Sequence, residues 1–189
     1  MFSWLSKSVF RLAGWKTVHN LPNDLKKGIF AVAPHATWLD FLIGVGARAD
    51  LGISIGYLGK AELFKPPHGW LFKALGGTPV VRSRSTNFVQ QVAATFNKHT
   101  SLLVAIAPEG TRKNVKKLKT GFYYMAHTAG VPIIMVGFDY PRKTVFIEKP
   151  FYTSGDFEAD MKAFFVPFFK QIEGEKKDWI DNYEKGIFN

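Results

Sequence analysis

Six short runs rich in branched apolar residues, bounded by Gly or Pro and separated by helix-patterned stretches, restrict what this chain can fold into. They span 28–33 (GIFAVA), 53–58 (ISIGYL), 78–82 (TPVVR), 101–107 (SLLVAIA), 131–138 (VPIIMVGF) and 144–148 (TVFIE). Several are apolar throughout, the pattern of strands buried on both faces. Helical periodicity fills the intervals 37–49, 86–99 and 121–130; in the first, Trp38, Phe41, Leu42 and Val45 take the i, i+3, i+4, i+7 spacing. Strands alternating with helices predict an α/β fold: one domain with a mostly parallel central sheet flanked by helices. The reading divides 1–189 into an amphipathic segment (1–16), an α/β core (28–148) that holds the candidate site loops, and a C-terminal helical segment (150–189). The last begins after Ser154-Gly155-Asp156 and is bent or shortened at Pro167.

No stretch approaches the roughly 18 consecutive apolar residues needed to cross a bilayer. Over 1–16, Phe2, Leu5, Val9, Leu12 and Ala13 instead fall on one side of a helical wheel, with Lys7 and Arg11 opposite and Trp4 and Trp15 toward the flank. Two placements suit that pattern: a helix lying in a membrane interface, or one packed on the domain's own core. The formal net charge of +10 favours polyanionic partners, whether an anionic membrane surface, phosphorylated substrates, an acidic carrier protein or nucleic acid. No recognisable RNA- or DNA-binding motif accompanies the charge, so nucleic acid is not expected. With no Cys in the chain, thiolate nucleophiles, thiolate metal sites and disulfides are excluded.

In parallel sheets, sites collect in the loops at the carboxyl ends of strands. Three loops here carry polar residues directly after an apolar strand: 34–40 (PHATWLD), 82–85 (RSRS) and 108–113 (PEGTRK). His35 follows Pro34 and precedes the expected helix start at Thr37, so it is free to fold back over the first turn toward Asp40. A carboxylate bonded to one imidazole nitrogen leaves the other free to accept a proton. The same residues also read as a capping box, Thr37-x-x-Asp40, and the two roles are compatible.

Gly110 permits close backbone approach to a ligand, Arg112 supplies a planar fork suited to phosphate oxygens, and Glu109 is placed to orient that fork. The alternative is a polar turn with a surface ion pair. Arg82, ending a short strand, is either a second anion contact or a solvated charge. The nearby Lys113, Lys116, Lys117 and Lys119 form either a solvated face or a surface for an anionic partner. His127, in a helical stretch beside Tyr123, Tyr124 and Met125, reads as a packed histidine. No G-x-S-x-G elbow, phosphate-binding P-loop or dinucleotide fingerprint occurs, and no convincing set of three metal ligands.

Taken in order, the motifs resemble those of the glycerophospholipid acyltransferases typified by lysophosphatidate acyltransferases. Four blocks can be placed: the H-x4-D block His35–Asp40, a Gly-led strand from Gly76 to Arg82, Pro108-Glu109-Gly110-Thr111-Arg112, and Val131-Pro132-Ile133-Ile134. Together they span roughly 30–140. Pro34, Val81 and Met135 depart from the residues usual beside these motifs.

The resemblance implies transfer of a fatty acyl group from acyl-CoA or an acyl carrier protein to the hydroxyl of a lysophospholipid-type acceptor, 1-acyl-glycerol-3-phosphate first among them. A different lipid acceptor, such as a lyso-aminolipid, is the alternative. His35 would be the base and Asp40 its partner, with Arg82, Glu109, Gly110, Thr111 and Arg112 binding the acceptor phosphate. Backbone amides of the Gly110 loop are candidate oxyanion donors. No cofactor or metal is expected, the thioester being a co-substrate, and peripheral attachment to the cytoplasmic face of a membrane is implied. Outside the enzymes, a basic nucleic-acid-binding domain and a non-catalytic lipid-binding protein are the rival readings.

Overall fold

A computed structural model describes residues 2–74, 76–80, 85–174 and 177–188. Its helices and strands alternate through most of the chain. They are α1 (Phe2–Leu12), β1 (Lys16–His19), β2 (Lys27–Ala33), α2 (Leu39–Leu51), β3 (Gly56–Lys60), α3 (Gly69–Ala74), β4 (Gly77–Val80), α4 (Ser85–Lys98), β5 (Leu102–Ile106), α5 (Gly121–Ala129), β6 (Ile133–Asp139) and β7 (Thr144–Ile147). Three short helices follow: α6 (Phe157–Asp160), α7 (Val166–Lys170) and α8 (Asp178–Glu184).

The seven strands form one sheet in the order β1-β7-β6-β2-β5-β3-β4. β2 to β6 are mutually parallel; β7 runs antiparallel to β6, and β1 pairs parallel with β7 at the edge. The mostly parallel sheet therefore stands as expected, with a reversed two-strand margin. β2, the most central of the strands, alternates its burial between the two faces. Ile29, Ala31 and Ala33 join the cluster under α4, α5 and the C-terminal helices, whereas Phe30 joins that under α1 and α2.

The C-terminal segment also follows its sequence signals. Asp156 caps α6 by accepting the Ala159 amide at 3.0 Å. A π-helical turn over Met161–Phe165 then leads into α7, where Pro167 occupies the first turn.

The N-terminal helix docks on α2. Phe10 is buried against Gly46, where even a Cβ would lie 2.6 Å from the ring. Arg11 makes two bonds to Asp50 at 2.8 and 2.7 Å, Lys7 approaches it at 3.5 Å, and Thr17 donates to it at 2.6 Å. The charged side of the helix thus faces the domain. Trp4, Leu5, Val9 and Leu12 remain exposed, Leu12 at 88%. No helix among the described residues is long and apolar enough to cross a membrane.

Candidate active site

Strand order assembles the site. β2 lies between β6 and β5, all three parallel, so the segments leaving their carboxyl ends are neighbours. Register pairs Ala31 with Ile106 and Ala33 with Gly137. His35 lies two residues beyond β2, Glu109 three beyond β5, and Tyr140 directly after β6.

His35 Nδ1 stands 2.9 Å from Asp40 Oδ2, and the His35 side chain is 24% exposed against 1% for Asp40. Oδ2 also accepts the Ala36 and Thr37 amides at 2.7 and 2.8 Å. Its partner oxygen Oδ1 accepts the Tyr140 phenol, with the Thr37 hydroxyl at 3.4 Å. Burial on its own would raise the Asp40 pKa; hydrogen bonds from His35, Tyr140 and Thr37 outweigh it and hold the carboxyl below its ordinary value. Asp40 is therefore an ionised acceptor. That assigns the Nδ1 proton to His35 and leaves the Nε2 lone pair free when the ring is neutral.

The capping-box reading holds in altered form. Asp40 sits in the first turn of α2 and reaches back to the loop amides, while Trp38, at the cap position, makes no side-chain cap bond.

Glu109 is placed differently from its expected role as an orienting partner for Arg112. The turn 107–110 closes through the Gly110 amide on the Ala107 carbonyl at 3.0 Å, and Gly110 takes a φ of +65°. This turns the Glu109 side chain inward, where Oε2 accepts the His35 backbone amide at 2.6 Å. Only 2% of the residue is exposed, and burial lifts its pKa to about 7 against opposing help from the His35 amide and the Trp179 indole. Trp179 Nε1 is buried, with no partner at hydrogen-bonding geometry among the described residues. Its influence on Glu109 is thus that of a nearby dipole. The Gly110 amide, a candidate oxyanion donor, is already engaged in the turn.

Thr111 and Arg112 continue the same loop on the exposed side, and the Thr111 hydroxyl accepts the Lys113 amide at 3.3 Å. Arg82 lies outside the described residues. Two contributors escaped the sequence reading, Tyr140 and Trp179. Tyr140 ends an apolar strand just as His35 and Glu109 follow theirs, and that position was the available signal. Trp179, on the terminal α8, carried none. His127 is exposed on α5, yet its ring stacks on Tyr123 with centroids 6.4 Å apart, and its Nδ1 lies 2.9 Å from Thr153 Oγ1. Among the described residues no group of three or more His, Asp or Glu side chains is arranged to hold a metal ion.

A protein-family model described as Acyltransferase matches residues 15–139, about two thirds of the sequence. The chain belongs to the acyltransferase family. Its structure is similar to that of PlsC from Thermotoga maritima, a 1-acyl-sn-glycerophosphate (LPA) acyltransferase. The TM-score is 0.53 at 17% identity, over 98% of this chain and 75% of that one. At that identity the likeness establishes the fold. No curated protein sequence matches. Within this acyltransferase, the H-x4-D block and the P-E-G-T-R block fall inside the matched residues, and the geometry brings His35, Asp40 and Glu109 together.

Proposed function

We propose that this acyltransferase moves a fatty acyl group from acyl-CoA or an acyl carrier protein to the free hydroxyl of a lysophospholipid, 1-acyl-glycerol-3-phosphate being the favoured acceptor. The observation that carries the reading is a partly exposed imidazole backed by a buried carboxylate that already has its full set of donors. Nε2 of His35 takes the acceptor's hydroxyl proton as its oxygen attacks the thioester carbonyl. Asp40 stabilises the imidazolium that results. When the tetrahedral intermediate collapses, the C–S bond breaks and the thiolate leaves, to be protonated from His35. Arg112, on the exposed side of the Glu109 turn, supplies the charge for the acceptor phosphate, with Arg82 as its second contact. Gly110 and Thr111 shape the loop that carries Arg112, and Glu109 anchors the His35 backbone.

The acceptor is a membrane lipid, and the surface suits peripheral attachment. Trp4, Leu5, Val9 and Leu12 of α1 are exposed, as are Trp38, Leu39 and Leu42 beside the His35 loop, in a protein of net charge +10. Exposed apolar side chains on a basic protein suit an anionic bilayer.

The decisive assay incubates purified protein with acyl-CoA and a panel of lysolipids, following thiol release and lipid product. Loss of general-base catalysis costs roughly 10²–10⁴-fold. His35→Ala should therefore lose at least about a hundredfold in turnover while remaining folded, and near-normal turnover would remove the mechanism. Arg112→Ala should mainly weaken acceptor saturation. Salt-sensitive RNA binding with no thiol release would favour the nucleic-acid reading instead.

A further inference from the structure

We propose that Tyr140 is a positioning residue for the His35–Asp40 pair, holding the Asp40 carboxylate in the one rotation that presents Oδ2 to the imidazole. The inference rests on the general-base reading and extends it to a residue outside the four motif blocks. A carboxylate on the first turn of a helix turns about its last side-chain bond, and a donor on the second oxygen deepens the well in which donors on the first already hold it. Oδ2 is held by two loop amides and His35; for Oδ1 the strong donor is the Tyr140 phenol, from a residue one hundred positions further along the chain.

Hydrogen counting fixes the direction of the network. A phenol has one proton to give, and here it goes to Asp40. The Thr37 hydroxyl lies 3.1 Å from the phenol oxygen and 3.4 Å from Asp40 Oδ1; it has one proton to give, and the shorter contact directs it to the phenol. The chain of donors runs Thr37 to Tyr140 to Asp40, with His35 donating from the other side, and each bond polarises the next. Burial, and then the bond to Asp40, push the Tyr140 pKa up to about 12, so the phenol stays a donor throughout the working pH range. The ring is fixed as well: Trp15 packs edge-on against it, with centroids 5.3 Å apart and planes at 89°. Tyr140 is thus locked by an aromatic contact on its body and a hydroxyl on its tip.

Tyr140→Phe tests this, because it keeps the ring and its Trp15 contact and removes only the donor. A misplaced catalytic group costs rate rather than affinity. The expected result is a fall in kcat of roughly tenfold or more, with KM for acyl donor and lysolipid changed less than about twofold. A second readout follows the Asp40 carboxyl by carbon-13 NMR, assigned with Asp40→Asn. The titratable groups facing Asp40 among the described residues are His35 from its own loop, Tyr140 from the turn after β6, and Glu109 from the turn after β5. Losing the Tyr140 donor should move the Asp40 titration to higher pH. If Tyr140→Phe folds poorly by thermal melt, Thr37→Val removes the hydroxyl that feeds the phenol and should give a smaller change in the same direction.

Two failures are distinguishable. Turnover retained in His35→Ala sinks the general-base reading itself. If turnover does depend on His35 but Tyr140→Phe leaves kcat within about twofold and the Asp40 titration unmoved, the Tyr140 assignment alone is overturned.

Discussion

Replacing Glu109 with Gln should stabilise the protein, but only above a definite pH. The Glu109 carboxyl is buried, its backbone donor is the His35 amide, and its pKa rises from an ordinary 4.5 to about 7. Between those two values the folded state binds a proton that the unfolded state has released. Stability therefore falls as pH rises through that window and levels off above it. A shift of about 2.5 units at roughly 1.4 kcal/mol each corresponds to about 3 kcal/mol. Gln cannot ionise, and its amide oxygen can still accept the His35 N–H. The variant should match the parent near pH 4.5 and exceed it by up to about 3 kcal/mol at pH 8. Urea titrations of both proteins at several pH values measure the difference directly. In melting temperature, roughly 2–4 °C per kcal/mol applies for a chain of this size. A stability difference that is the same at pH 4.5 and pH 8 would show that Glu109 titrates normally, and the account of its burial would be wrong.

Three further outcomes follow from named contacts. Asp40→Asn should cost more than about tenfold in kcat, because an amide presents an N–H or a weaker acceptor to His35 and disturbs the ring tautomer; steady-state kinetics on folded protein measure it. Asp50→Asn should loosen α1 and cost about 1 kcal/mol at neutral pH, discounted for the exposure of Arg11 and Lys7. Burial raises the Asp50 pKa, but bonds from Thr17 and Arg11 outweigh it and hold it below 3.8. The native carboxylate's contribution is therefore present above that pH and lost as pH falls through the lowered folded value, where parent and variant should converge in denaturant titrations. Gly46→Val should clash with Phe10, which even a Cβ would meet at 2.6 Å, costing about 1–3 kcal/mol and exposing the α1 junction to limited proteolysis.

The parts of this fold legible in sequence are those whose burial writes a pattern. β2 and β6 are buried almost throughout and read as continuous apolar runs, and the helices between them carry their own periodicity. β1 escaped because it is a four-residue edge strand with mostly exposed side chains, leaving no pattern to read. α3 was missed for a related reason: it spans six residues, with Trp70 exposed. The expected strand at 53–58 begins at Gly56 instead, because α2 runs on to Leu51 and closes with Gly52 in the left-handed conformation. For the site, His35, Asp40 and Glu109 were visible because each follows or closely succeeds an apolar strand. Their convergence was not, since strand order is set by packing and no local signal places β5 and β6 on either side of β2. The inward turn of Glu109 was equally hidden: it depends on the 107–110 turn, and the Trp179 indole that bears on its pKa comes from far along the chain.

The two carboxyls of the site show how environment, rather than residue type, divides the labour. Asp40 has two backbone amides, a phenol and an imidazole around it, so its charge is satisfied and it stays ionised despite burial. Glu109 has one amide donor and an indole without hydrogen-bonding geometry, so burial wins and its proton is retained to near neutrality. The contrast suits a general base. On the proposed mechanism, a second full negative charge beside His35 would hold the imidazolium too tightly and slow return of the proton to the departing thiolate. A carboxyl that is only partly ionised at neutral pH still fixes the His35 backbone while leaving Asp40 as the main electrostatic partner of the ring. Glu109→Gln should on this view retain substantial turnover at pH 7, whereas Glu109→Ala, which leaves the His35 amide unpaired, should not.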